Sequence, residues 1–209
     1  MDILARLFGG MPRVKVMRLF LLNPEQPFDT SDIATRSRLT PSVSRQTVTQ
    51  LIGMRLIKKK SFIKETTTAR GATKRKRVQG YILNTEFRYI KELKQFLIEG
   101  EVFKHEDLVR RFRPAGRIHM LVVSGIFVQT TPSRLDLLIV GDHLKKPLIQ
   151  KAVMVLESEI GRELSYVVFD TADFNYRVSM YDKLIRDVFD YPHERLIVSK
   201  EYSSFVLPS

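Results

Sequence analysis

The sequence predicts an α+β protein of two domains, and three observations lead to this prediction. Apolar residues recur at helical spacing over residues 11–52, two β-rich runs follow within 56–83, and helices mix with apolar strands after residue 101. A chain of 209 residues with 44% hydrophobic content can bury a core in each of two small domains. We expect a first domain at 1–83, a linker helix at 84–100 and a second domain at 101–209.

Two helices are predicted at the start of the first domain. Residues 11–22 carry an apolar stripe at i, i+3, i+4 and i+7 spacing, with Arg18 as its polar exception, and this helix ends at Asn23. Asp29 or Thr30 can cap a short second helix that ends before residue 40. A tight turn is therefore expected after each of these two helices.

A third helix is predicted from Thr40, with Pro41 at its first position, where the missing N–H costs nothing. We expect its inward face to be apolar apart from one threonine: Val43, Thr47, Val48, Leu51 and Ile52. The candidate DNA-reading residues on its outward face are Ser42, Ser44, Arg45, Gln46 and Thr49. Gln pairs well with adenine, Arg with guanine, and Ser or Thr with either base. The same side chains are also common on ordinary surface helices.

A basic hairpin is predicted directly after this helix. Two strands at 56–68 and 78–83 are joined by a turn around 69–72, and the stretch from Arg55 to Gln79 holds ten basic residues and one acid, Glu65. The candidate phosphate contacts are Lys58, Lys60, Lys64, Arg70, Lys74, Arg75, Lys76 and Arg77. A hairpin in this position can reach phosphates or the minor groove beside the preceding helix.

Residues 11–83 resemble winged-helix transcription regulators of the MarR/ArsR-like kind, through the order and pattern of the elements and without a diagnostic motif. The resemblance implies binding to double-stranded DNA by the third helix and the hairpin. It also implies a homodimer, because two half-sites restore affinity and register. After the hairpin, residues 84–99 are predicted to form a helix with Phe87, Ile90, Leu93, Phe96 and Leu97 on its apolar stripe.

Charge separates the two domains. Residues 1–100 carry 20 Lys and Arg against 8 Asp and Glu, so the whole formal net charge of +12 belongs to the first half. We infer that the first half contacts a polyanion and that the second half has another task.

The composition argues against several kinds of site. The chain has no Cys, which excludes disulfides and cysteine-bound zinc, and its 4 His are not at metal-ligand spacing. No apolar run approaches the roughly 20 residues needed to cross a bilayer, and residues 1–10 do not suit a secretory signal. We therefore expect a cytoplasmic protein with no metal, cofactor or membrane contact.

The second domain is predicted to be a mixed α/β domain. An apolar strand at 118–123 ends at Ser124-Gly125 and is expected to continue through 126–128, and a second strand is expected at 133–141. A helix at 104–112 is predicted before these strands. After them we expect a helix (147–160), a strand (163–169), helices from 172 and over 181–188, and a last strand (195–198).

Residues 101–200 resemble the minimal nucleotidyltransferase domain of the DNA polymerase β-like superfamily, on the Ser124-Gly125 turn, the strand containing Asp136 and the order of later elements. The resemblance implies paired acids on that strand that bind Mg²⁺ and a nucleotide triphosphate. This chain departs from it, because Arg134 stands where the first acid belongs and Gly125 is not followed by Ser. A single carboxylate beside an Arg cannot hold two Mg²⁺ ions. We therefore expect no catalytic residue, and Asp136 to pair with a cation such as Arg134 or to be structural.

The sequence thus predicts a sequence-specific DNA-binding transcriptional regulator whose second domain serves dimerisation, sensing or scaffolding. Two alternatives stay open: an active Mg²⁺-dependent nucleotidyltransferase, and an antitoxin-like or RNA-binding protein. Whether the second domain binds a small molecule or a nucleotide is also left open.

Overall fold

The computed structural model describes residues 3–67, 73–99, 105–128 and 134–203. It shows a mixed structure of helices and two separate sheets, consistent with the predicted α+β class. The chain forms two compact units, one made of Met1–Val102 with Val155–Arg162, the other of Phe103–Met154 with Glu163–Ser209. Residues 84–100, predicted as a linker, therefore lie within the first unit, which also includes 155–162.

The first unit begins with α1 (Ile3–Leu7), a short helix that was not predicted. The three predicted helices lie close to their expected positions: α2 (Met11–Leu22), α3 (Thr30–Ser37) and α4 (Pro41–Gly53). Asp29 caps α3 by accepting from the Asp32 amide, and Asp32 accepts in return from the Asp29 amide. Thr40 caps α4, and Pro41 is its first residue, as predicted.

Helix α2 is the central element of the first unit. Its residues Val14 to Leu21 are nearly all buried, and Arg18, the polar exception in the stripe, is only 3% exposed. The Arg18 guanidinium donates from Nε to the Leu97 carbonyl (2.8 Å) and from Nη1 to the Glu159 carbonyl (3.0 Å). A buried charge is tolerated when its donors are satisfied in this way. Arg18 therefore joins three segments of the unit that are distant in sequence.

A two-stranded antiparallel hairpin follows α4 and consists of β1 (Ile57–Thr67) and β2 (Thr73–Leu83). Near its base, Phe28 and Tyr81 exchange two backbone hydrogen bonds of 2.9 and 2.8 Å, which tie β2 to the start of α3. This close approach requires glycine at position 80, because a Cβ there would lie 2.6 Å from the Phe28 carbonyl oxygen. The hairpin is thus anchored at its base, and its basic part extends beyond Gly80.

The helix predicted for 84–99 is shorter than expected. It consists of α5 (Ile90–Lys94) and a π-helical turn at Gln95–Glu99. The Asn84 side chain donates to the Arg55 carbonyl, and the Asn84 amide donates to the Leu56 carbonyl, so Asn84 closes the base of the hairpin instead of capping a helix. The spacing of apolar residues alone did not show whether Asn84 caps a helix or closes the base of the hairpin.

The second unit contains a four-stranded sheet in the order β5-β4-β3-β6. Its strands are β3 (Arg117–Ser124), β4 (Leu137–Asp142), β5 (Tyr166–Phe169) and β6 (His193–Val198); β3 is antiparallel to β4 and β6, and β4 is parallel to β5. Its helices are α6 (His105–Phe112), α7 (Lys146–Ile160, whose last residues belong to the first unit), α8 (Thr171–Ser179) and α9 (Lys183–Asp190).

The core of the second unit lies on both faces of β3 and β4, whose residues from Met120 to Val123 and from Leu137 to Val140 are buried without alternation. The prediction that the first strand continues through 126–128 is wrong, because Gly125–Val128 is a 3-10 turn. Gly125 has φ +57°, a left-handed conformation that bends the chain out of the sheet and that glycine adopts without strain.

We expect Gly80→Ala to lower the free energy of unfolding by about 1–3 kcal/mol, because the Phe28 carbonyl has no room to retreat from a new methyl group. The measurement is the denaturant midpoint followed by circular dichroism. Gly53→Ala is the matched control: nothing lies within 4 Å of a Cβ there, and alanine suits the last residue of α4, so stability should be unchanged or slightly higher. Equal effects at the two positions would contradict the close approach described at Gly80.

Candidate nucleic-acid interface

Helix α4 presents a polar stripe on its exposed side. Ser42, Arg45, Gln46 and Thr49 are all exposed, and their spacing of i, i+3, i+4 and i+7 places them on one face. The Thr49 hydroxyl donates to the Arg45 carbonyl at 3.0 Å, which fixes its rotamer on this face. Four of the five residues predicted for this helix are therefore accessible to a partner.

Ser44, the fifth residue, is not accessible, and its assignment as a DNA-reading residue is wrong. It is 0% exposed, and its hydroxyl donates to the Thr30 carbonyl at 3.4 Å. The inward face of α4 is the stripe of Ser44, Thr47, Val48 and Leu51, so Ser44 lies against α3. A small side chain at this position lets the two helices approach, and the hydroxyl satisfies a carbonyl at the start of α3.

The hairpin has two unlike faces, because successive side chains of a strand point to opposite sides. The register pairs Lys58 with Ile82, Lys60 with Gly80, Lys64 with Lys76, and Thr66 with Lys74. One face therefore carries five lysines and no acid, and we call it the lysine face: Lys58, Lys60, Lys64, Lys74 and Lys76. Of these, Lys58, Lys60, Lys74 and Lys76 are exposed.

The opposite face carries Lys59, Arg75 and Arg77 together with Glu65. Arg75 Nε lies 2.7 Å from Glu65 Oε1, but the side chains are 75% and 54% exposed. Such an exposed pair stabilises a fold by at most about 1 kcal/mol, so Arg75 can exchange this partner for a phosphate. Arg70 lies outside the described residues.

Lys64 differs from the other lysines, because it already has two partners. Its Nζ lies 2.8 Å from Asp29 Oδ2 and 2.6 Å from Asp32 Oδ1, with the three side chains 18–28% exposed. These bonds outweigh desolvation, so the pKa of Lys64 is raised and the pKa of Asp29 is lowered. The phosphate contact predicted for Lys64 stays a prediction, whereas its contacts in the structure tie the hairpin to the capping box of α3. We call this cluster the ion triad.

Sequence analysis did not find the ion triad. Asp29 and Asp32 are two of the few acids in a basic region, which indicates that a cation pairs with them. The identity of that cation depends on the hairpin register and on its attachment at Tyr81, which spacing along the chain does not reveal. Lys59 is also missing from the predicted phosphate contacts, although it is exposed on the hairpin and as basic as the lysines that were included.

The predicted motif of the second unit is a structural junction. Ser124 is buried at the end of β3; its amide donates to the Asp136 carbonyl at 3.0 Å and its hydroxyl donates to the Leu135 carbonyl. Asp136 is 3% exposed, and its carboxylate accepts from the amides of Ile126 (3.2 Å) and Ser165 (3.0 Å). Asp136 therefore joins the glycine turn to the chain just before β5.

Arg134 does not pair with Asp136. Its Nε lies 2.9 Å from Asp187 Oδ2, and its side chain is 61% exposed. Just before β5, Glu163 is exposed and Leu164 is buried. Among the described residues, no group of three His, Asp or Glu could hold a metal ion, and no helix is long and apolar enough to cross a membrane.

Comparison with known proteins adds no relative. No protein-family model matches the chain. No curated protein matches its sequence significantly. The geometry of the two units is therefore the basis of the functional argument.

Lys64→Met should destabilise the protein by about 1–2 kcal/mol at neutral pH, because it leaves two partly buried carboxylates without a cation. The lowered pKa of Asp29 means that this stabilisation is present above the ordinary value of 3.8 and is lost as the pH falls below it. The difference between variant and wild type should therefore shrink in acid, as measured by denaturant unfolding at a series of pH values.

The matched control is Lys60→Met, on the same face of the same strand and exposed. Its effect on stability should be small and independent of pH in the acid range. A similar pH profile for both variants would show that the ion triad does not stabilise the fold.

Asp136→Ala should cost about 2–4 kcal/mol of stability, since two backbone amides lose their acceptor in the interior. Mg²⁺, with or without a nucleoside triphosphate, should leave the melting temperature of the wild type unchanged. Asp190→Ala, at an exposed aspartate, is the control and should melt like the wild type. A Mg²⁺-dependent rise in melting temperature that Asp136→Ala abolishes would contradict the structural role.

Proposed function

We propose that this protein is a sequence-specific DNA-binding transcriptional regulator whose first unit is a winged helix. The observation that carries the proposal is the presence, in one unit, of the polar stripe on α4 and a lysine face without acids on the hairpin that follows it. An α-helix fits the major groove of B-DNA, where Gln46 can pair with adenine and Ser42 or Thr49 with either base type. The lysine face supplies the cations that neutralise phosphates.

Duplex DNA is favoured over single-stranded RNA by the chemistry of the exposed surface. Single-strand recognition depends on aromatic side chains that stack with bases beside basic residues. Among the hairpin side chains that the structure describes, the exposed ones are basic or polar apart from Ile63, with Glu65 as the one acid, while its aromatic residues, Phe62 and Tyr81, are partly buried. A rigid helix beside a basic arm suits a groove and its flanking phosphates.

The second unit is proposed to have a nucleotidyltransferase-like fold without catalysis. The Ser124-Gly125 turn at the end of β3 supports the fold. The Asp136 carboxylate supports the lack of catalysis, because it accepts hydrogen bonds from two backbone amides. Arg134 would repel a divalent cation at the place of the first acid. We propose that this unit serves dimerisation, sensing or scaffolding.

Selection from random duplex DNA tests the proposed function. The wild type should enrich one sequence, and a homodimer should enrich it as an inverted repeat of two half-sites. Neutralising three lysines of the hairpin (Lys58, Lys60 and Lys76 to Gln) should weaken binding to all sequences alike. The slope of log affinity against log salt should flatten by ~0.9 for each phosphate that the variant no longer neutralises.

The control replaces the same number of exposed lysines in the second unit, Lys146, Lys151 and Lys183, by Gln. This variant should keep both the affinity and the salt slope of the wild type. Absence of any enriched sequence would overturn the proposal, and preference for RNA over duplex DNA would replace it with an RNA-binding function.

A further inference from the structure

A groove of about 400 Å³ lies between α3 and the start of α4. Its polar lining consists of the hydroxyl side chains of Thr30, Ser31 and Thr35 and the side chain of Arg45. Leu39 and Pro41 contribute an apolar wall. No acidic residue lines the groove, and Arg45 belongs both to it and to the polar stripe of α4.

The polar groups of this groove have unused hydrogen-bonding capacity. Within the part of the chain that the structure describes, no hydrogen bond or ion pair engages the hydroxyls of Thr30, Ser31 and Thr35 or the guanidinium of Arg45. Elsewhere in the first unit, by contrast, Arg13 donates to Gln50 and Arg18 to two carbonyls. Three residues with hydroxyl side chains and one arginine therefore line one open space.

The ion triad sets the charge beside this groove. Asp29 and Asp32 flank Thr30 and Ser31 in sequence, and two unpaired carboxylates there would repel an anion. Lys64 lies within hydrogen-bonding distance of both carboxylates, so one of their two negative charges is balanced. The charged residue that lines the groove itself is the cation Arg45, which attracts an anion.

We propose that this groove seats one phosphodiester group of the bound DNA, with Arg45 and the three hydroxyls as donors. The inference rests on the proposed function and deepens it, because it assigns Arg45 to the backbone instead of to a base. A guanidinium matches two phosphate oxygens with its parallel N–H donors, and hydroxyls donate to the same oxygens. Base reading is then left to Ser42, Gln46 and Thr49.

The test uses the duplex enriched by the wild type and a shuffled duplex of equal length, with affinities measured across a range of salt concentrations. Arg45→Ala should weaken binding to both duplexes by the same factor, on the order of tenfold, and flatten the salt slope by ~0.9. Arg45→Lys keeps the charge but loses the paired donors, so it should retain the wild-type slope and bind both duplexes more weakly than the wild type and more tightly than Arg45→Ala. Thr35→Val should weaken both duplexes roughly threefold without changing the slope, because a neutral donor is removed.

Arg186→Ala, at an exposed arginine of α9 in the second unit, is the matched control and should change neither affinity nor slope. Thermal melting of each variant verifies that it is folded. If Arg45→Ala or Arg45→Lys instead makes the affinities for the two duplexes equal, then Arg45 reads a base. That result would overturn the proposed phosphate site and leave the proposed function standing. If the wild type binds neither duplex, both proposals fall.

Discussion

The attachment of the hairpin to the start of α3 is the constraint on which the candidate interface depends. Two backbone hydrogen bonds between Phe28 and Tyr81 hold the base, and the ion triad holds the arm at Lys64, five residues along β1 from Lys59, the residue paired with Tyr81. Because α3 also packs against α4 through Ser44, the hairpin and the polar stripe of α4 are fixed to a common element. A nucleic acid would therefore meet two surfaces whose relative geometry is already set, which lowers the entropic cost of binding.

The two ties differ in physical character. The backbone pair depends on shape, because only glycine at position 80 leaves room for the Phe28 carbonyl. The ion triad depends on charge, and Lys64 offsets one of the two negative charges that an approaching phosphate would meet there. Lys64 would thus support polyanion binding by offsetting protein charge, whereas Lys60 and Lys76 would do so by neutralising the ligand.

Local signals predicted α2, α3 and α4 well, but they failed over 84–99 and 126–128. Pro41 and Thr40 fixed the start of α4, since the backbone of the first turn has its own chemistry. Ser44 was misassigned, because its burial depends on α3, which spacing within one element does not report. For the same reason the sequence did not reveal the partners of Lys64, or those of Asp136 at Ile126 and Ser165, which come from other segments.

The alternation of side chains along the hairpin has a consequence for how such an arm can change through evolution. An insertion of one residue in β1 beyond Lys60 would shift every later side chain to the opposite face, removing Lys64 from Asp29 and Asp32. Insertion of two residues in each strand, between Lys64 and the turn, would preserve the faces and the ion triad and would lengthen the arm. We therefore expect the strand lengths of related arms to vary in even steps, with odd changes confined to the turn that joins the strands.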